Sequence, residues 1–133
     1  LSGTGAQAKT RDLSIYASGD SKDVRAFTSI FDGFSRTHYN VGEFGNGMKM
    51  KLVANLLVAI HNVSTAEAIL FGKKLGLNTK NLVSLIGDGA GSSRMFQVRG
   101  PMMVAKTWNQ ATMKNEVWQK DMSIIYHALD ELT

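Results

Sequence analysis

From about Met48 to Leu75 the chain contains no proline, and no glycine before Gly72. A helix drawn through this stretch carries Leu52, Val53, Leu56, Leu57, Val58, Ile60 and Val63 on nearly every side. A long helix that is hydrophobic all round and lies outside a bilayer has to sit among other helices, so the segment predicts a bundle. A bilayer is set aside on length: the apolar stretch Leu52 to Ile60 contains Asn55 and falls far short of the roughly 20 residues that span one. Gly76 is placed to end the helix, with Lys73 and Lys74 in its last turn, where the dipole favours cations.

The remaining segments predict shorter elements around it. Residues 1 to 20 are rich in Gly and Ser and hold one alternating run, Leu13 to Ala17, which reads as a short strand; sheet is expected to stop there. Ser21 or Asp23 can cap a helix with Val24, Phe27, Ile30, Phe31 and Phe34 at helical spacing. Arg36 to Phe44 is a connector with room for a short strand, closing at Gly45-Asn46-Gly47. Asn78 or Thr79 caps a helix running to Gly87, and the glycine-rich loop from Gly87 to Ser93 leads to a short helix through Val98, capped by Ser92 or Ser93. Arg99-Gly100-Pro101 reads as a turn with proline at a helix start, and a last helix runs from about Thr112 to Leu132. The sum is a mainly α domain entered through a scrap of sheet, and 133 residues ask for no second core.

Charge and composition exclude several functions. The 15 basic and 11 acidic residues are scattered, with no basic stripe interleaved with aromatics, which argues against nucleic acid. Cysteine is absent, so there is no disulfide, thiolate metal site or cysteine nucleophile; a reducing compartment fits, and the cytoplasm is expected. His38, His61 and His127 lack metal-ligand spacing, and no metal is expected. No secretory signal is visible at Leu1 to Gly5.

The chemistry concentrates at Gly45-Asn46-Gly47 followed by Lys51 and Asn55. A glycine turn fixes where the helix begins, and residues four apart share one of its faces. A lysine near the positive end of a buried helix needs a depressed pKa or a nearby anion, either of which suits a general acid/base amine. The alternative is that Lys51 snorkels to the surface while Asn55 bonds a neighbouring helix. Gly45-x-Gly47 is not a dinucleotide fingerprint, since position 50 is methionine and no buried parallel strand is expected before it. Ser2-Gly3-Thr4-Gly5 can present amides and hydroxyls to a carboxylate as an anion nest. Lys120-Asp121 is either a solvated pair or a cation placed for a ligand.

These motifs together resemble the beta-hydroxyacid dehydrogenases, the family of 3-hydroxyisobutyrate dehydrogenase and tartronate semialdehyde reductase. The family's DxPVSGG and AxxGxL segment is similar to Leu1-Ser2-Gly3-Thr4 with Ala8 and Leu13. Its GxGxxxKxxxN segment is present as Gly45, Gly47, Lys51 and Asn55, its GS...RGP pattern is similar to Ser92-Ser93 through Arg99-Gly100-Pro101, and its KD pair to Lys120-Asp121. Thr4, Arg11 and Ser92 stand where the family has glycine; Thr4 bears on substrate identity, the others on turns.

The resemblance implies the helical C-terminal domain of a 6-phosphogluconate-dehydrogenase-like fold, with residues 1–20 the edge of a preceding Rossmann domain and 21–133 an all-helical substrate and dimerisation domain. It implies Lys51 as the proton donor and acceptor, Ser2, Gly3, Thr4 and Asn55 as substrate-binding residues, and Lys120 beside the cofactor. NAD or NADP would be held mainly by a domain before Leu1. The expected partners are a small hydroxyacid and further copies of the chain, as a homodimer or homotetramer. A lysine at position 51 favours hydroxyacid chemistry over the imine reduction of related enzymes. A non-catalytic helical dimerisation module is the alternative.

Overall fold

In the computed structural model, which describes residues 1–107 and 114–130, the elements run α1 (Gly5–Lys9), β1 (Ser14–Ala17), α2 (Ser21–Ala26), α3 (Thr28–Phe34), β2 (Thr37–Asn40), α4 (Asn46–Lys74), α5 (Thr79–Gly87), α6 (Arg94–Ala105) and α7 (Asn115–Asp130). The chain divides into two compact units, one of Leu1–Asn55 with Thr112–Thr133, the other Leu56–Ala111, so the division falls within α4.

In the first unit β1 pairs in parallel with β2, Ile15 opposite His38 and Tyr16 opposite Tyr39. Sheet therefore does not stop at residue 20, and the stretch after it is not all helical. The crossover is made by two helices rather than one, breaking at Phe27. The cap of α2 is Asp20, whose carboxylate accepts the Lys22 N–H at 2.7 Å, and neither Ser21 nor Asp23 serves. Leu13 and Ile15 are the buried residues at the β1 end of this layer. The unforeseen α1 is a five-residue helix held by a capping box between Thr4 and Gln7. Arg36 bonds Asp12 at 2.8 Å, and Gln7 donates to the same carboxylate at 2.9 Å, tying α1 to the entry of β2.

In the second unit Ile69 of α4, Leu82 and Val83 of α5 and Phe96 of α6 form the core. Small residues allow the approach: a Cβ on Gly72 would strike the Leu82 side chain, and one on Gly100 would lie 3.2 Å from Val83 Cγ1. Helix α6 runs through Gly100 and Pro101 instead of turning there. Gly100 is buried against Val83 within this helix, and Pro101 inside it forgoes one intrahelical hydrogen bond. Gly76, at φ 80°, closes α4 as expected, with the Leu77 N–H donating to the Gly72 carbonyl at 3.0 Å. Ser93 caps α6 through the Phe96 N–H at 3.0 Å. The expected limits of the last helix, Thr112 and Leu132, lie outside the described residues.

The expectation for the long helix needs correction. Of the 29 residues of α4, Thr65, Ile69 and Gly72 are buried, while Val53, Ile60, Val63 and Phe71 are more than half exposed. The described elements of the chain do not cover what a helix apolar all round presents. By length and composition α4 is also long and apolar enough to cross a membrane, so counting one unbroken apolar stretch does not exclude it.

The Asn78 side chain accepts both the Lys80 and Asn81 N–H groups, at 3.0 and 3.1 Å, and so starts α5. Urea titration of Asn78→Ala is expected to show a loss of about 1 kcal/mol, whereas Asn78→Asp, an equally good cap, stays within ~0.5 kcal/mol of the parent.

Candidate active site

The site is set by how α4 meets the end of β1. A Cβ on Gly47 would strike the Tyr16 carbonyl oxygen and lie 3.1 Å from Ser18 Oγ, so glycine alone lets the first turn of α4 come this close. The turn before it takes Gly45 at φ 95° and is held by Asn46, whose Nδ2 donates to the Val41 carbonyl at 3.0 Å. Lys51 and Asn55 follow on α4, both partly buried. Because α4 is largely exposed, the premise of a lysine forced into a buried helix does not hold, and the case for Lys51 rests on its neighbours.

One neighbour is the segment before α1. Ser2 pairs with Ser14 at the start of β1, its N–H donating to the Ser14 carbonyl at 2.8 Å and its own carbonyl accepting at 2.9 Å. The Leu1 amino group next to it is held below the ordinary α-amino range, first by burial and then by the charge of Lys51. The charge of Lys51 is thus felt at this end of the chain. The anion nest read from Ser2-Gly3-Thr4-Gly5 does not form as expected, because two of its amides are already used: Ser2 N–H by Ser14, and Thr4 N–H by the Gln7 side chain at 2.9 Å. The Thr4 hydroxyl accepts the Gln7 N–H at 3.3 Å, so this side chain works as a helix cap. Gly3, at φ 141°, lies where a Cβ would strike Leu13.

The other neighbour comes from α7. Asn55 Nδ2 donates to Asp121 Oδ2 at 3.3 Å, and Lys120 Nζ bonds Asp121 Oδ1 at 2.8 Å. Of the residues singled out from sequence, Asn55 and Lys120 are joined through Asp121, Lys51 stands one turn before Asn55 on α4, and Ser2 is tied to β1 at Ser14. Sequence reasoning saw Asp121 as half of a dipeptide and missed its bond to Asn55; periodicity carries no signal for a contact 66 residues apart.

A parallel strand, β2, precedes Gly45-x-Gly47 in the connector that had room for one, and none of its four residues is buried. The polar alternation of Thr37-His38-Tyr39-Asn40 hides it from a search for a buried strand. The turn is still no phosphate cradle, because the Asn46, Met48 and Lys49 amides all donate to backbone carbonyls.

A family model described as NAD-binding of NADP-dependent 3-hydroxyisobutyrate dehydrogenase matches residues 45–133. The chain is 31% identical over 125 residues to glyoxylate/succinic semialdehyde reductase 2, chloroplastic, of Arabidopsis thaliana, covering 93% of this chain and 34% of that protein. It is 30% identical to glyoxylate/succinic semialdehyde reductase 1 of the same plant, covering 98% of this chain and 45% of that one. The chain therefore spans less than half the length of these relatives. The crystal structure of 3-hydroxyisobutyrate dehydrogenase from Salmonella typhimurium superposes with a TM-score of 0.85 at 21% identity, over 98% of this chain and 46% of that chain, which shows the shared fold.

The Gly47 contact yields a test by denaturant unfolding. Gly47→Ala is expected to lower stability by ~1–3 kcal/mol, the usual cost of forcing an added methyl into filled space. Gly5→Ala, with nothing within 4 Å of its added Cβ, should not lower it.

Proposed function

The chain belongs to the family described as NAD-binding of NADP-dependent 3-hydroxyisobutyrate dehydrogenase, and on that premise we propose that it is the helical catalytic part of an NAD(P)-dependent oxidoreductase interconverting a small 3-hydroxyacid and its semialdehyde or keto form. The observation that carries this reading is the pairing on α4: Lys51 and, one turn on, Asn55, tethered to Asp121 at 3.3 Å. Lys51 gives its ammonium proton to the substrate oxygen during reduction and takes the hydroxyl proton during oxidation. Asn55 and the Ser2-Gly3 segment orient the acid. Thr4, bound into its capping box, acts at one remove by holding that segment.

A nicotinamide, when bound, supplies or accepts the hydride. The described residues fit only part of such a cofactor. Lys120, its side chain 63% exposed, is a cation open to an anionic group, but the amides opening α4 are already engaged. The description of residues 45–133 as NAD-binding supports a part for this region in cofactor contact. The names of the two plant relatives speak of glyoxylate and succinic semialdehyde for those proteins; a small aldehyde or keto acid is the matching substrate class here.

Lys51→Met in the oxidoreductase that carries this chain should lower kcat by roughly 10²-fold or more, read from steady-state turnover of a semialdehyde with either nicotinamide. A kcat equal to the parent's sinks the assignment.

The exposure of α4 favours a second reading, that the chain serves as an assembly module in a homodimer or homotetramer. Leu57, Ile60 and Val63 stand 48%, 51% and 58% exposed on the segment of α4 in the second unit. Apolar surface of this kind seeks a second copy of the same helix. Sedimentation velocity should find the chain associated and Ile60→Glu monomeric; a monomeric parent chain refutes the module.

A further inference from the structure

We propose that Asp121 is a positioning residue for this site: its carboxylate fixes which edge of the Asn55 amide faces a ligand. The inference rests on the reading above in that it takes Asn55 to orient substrate. An amide can sit in two flips that occupy the same volume and exchange a donor for an acceptor. An ionised carboxylate has only acceptors, so against Asp121 the Asn55 side chain must present its NH2, as the 3.3 Å bond to Oδ2 records. The opposite flip sets two oxygens against each other. With the donor edge committed to Asp121, the edge left for a ligand carries Oδ1, an acceptor suited to the hydroxyl of a hydroxyacid.

The carboxylate is itself held. Oδ1 receives Lys120 Nζ at 2.8 Å and Oδ2 receives Asn55, so each oxygen has a partner on a different element and rotation about the carboxylate bond is opposed from both sides. The Asp121 side chain is 19% exposed, so water is a weak competitor for these bonds, whereas Lys120 lies 63% exposed at the rim. Lys120 balances the charge of Asp121, and Asp121 sets Asn55. The pair read from sequence as a cation and its neighbour works in the reverse order, with the acid nearer the chemistry.

The test is a double-mutant cycle in the full-length oxidoreductase, with a side-chain spectrum of the 133-residue chain beside it. Asp121→Ala should lower kcat/KM for the hydroxyacid about tenfold, mostly through KM, with Asp121→Glu recovering part of the loss. Asn55→Ala should cost a similar factor, and the double variant no more than Asn55→Ala alone, because both remove one unit. Asp121→Asn, which keeps the volume, completes the same cycle where Asp121→Ala does not fold. In a nitrogen-15 spectrum the Asn55 NH2 pair, identified by its loss in Asn55→Ala, should shift in the Asp121 variants. An unmoved NH2 pair, multiplicative losses in the double variant, or an Asn55→Ala enzyme with unchanged kcat and KM would each overturn the proposal. If Lys51→Met leaves turnover intact while the Asn55–Asp121 coupling persists, the proton role of Lys51 fails and the positioning role stands.

Discussion

The approach of Gly47 to the Tyr16 carbonyl fixes the start of α4 against the end of β1, and the placement of Lys51 and Asn55 follows from it. Side chains four and eight residues beyond a fixed turn have little freedom left, since a helix transmits position along its axis as a rigid rod. The bonds around the turn serve the same end: Asn46 to the Val41 carbonyl, and the Gly19 N–H to the Gly42 carbonyl at 2.8 Å. A site built on a regular element holds its groups more tightly than one built on a loop. Here the regular element is a helix whose first turn leaves no volume for a side chain.

The second unit is arranged on the same economy of volume. Gly72 and Gly100 admit Leu82 and Val83, and Thr65, 2% exposed, turns its hydroxyl back to the His61 carbonyl at 2.5 Å and so carries no unpaired group into the core. Three helices thus share a small apolar centre of Ile69, Leu82, Val83 and Phe96. Beyond this centre α4 is little covered by the described residues, so its apolar composition marks exposed surface in place of a bundle interior.

Much of this was legible in the residues. Caps announce themselves locally, and Asn78 and Ser93 stand where a short polar side chain must precede an apolar run. Lys51 and Asn55 were legible because a period of four residues is a statement about one face of a helix. What periodicity does not record is what lies opposite. It named α4 as apolar on all sides but not whether anything covers it, and it marked Lys120-Asp121 without showing that Asp121 reaches Asn55. Strand β2 was legible only as room for a short strand between Arg36 and Phe44, because Thr37, His38, Tyr39 and Asn40 lack the apolar alternation of a core strand; its identity comes from the ladder to β1, which local composition does not encode. Pro101 misled in the opposite direction, since the preference for a helix start is a local tendency and the packing of Gly100 on Val83 overrides it.

The bond from Asn55 to Asp121 spans 66 residues, and the second unit lies in sequence between its two ends. In the order of synthesis β1, β2 and the first turns of α4 precede α7. Their arrangement draws on neighbours close in sequence, whereas closing so long a loop carries an entropic cost that only the arriving helix can repay. The orientation of the Asn55 amide therefore depends on α7 lying against this part of α4. The orientation of one amide near the start of the long helix is thus set by a segment far along the sequence, and any change that shifts α7 reaches Asn55 as well.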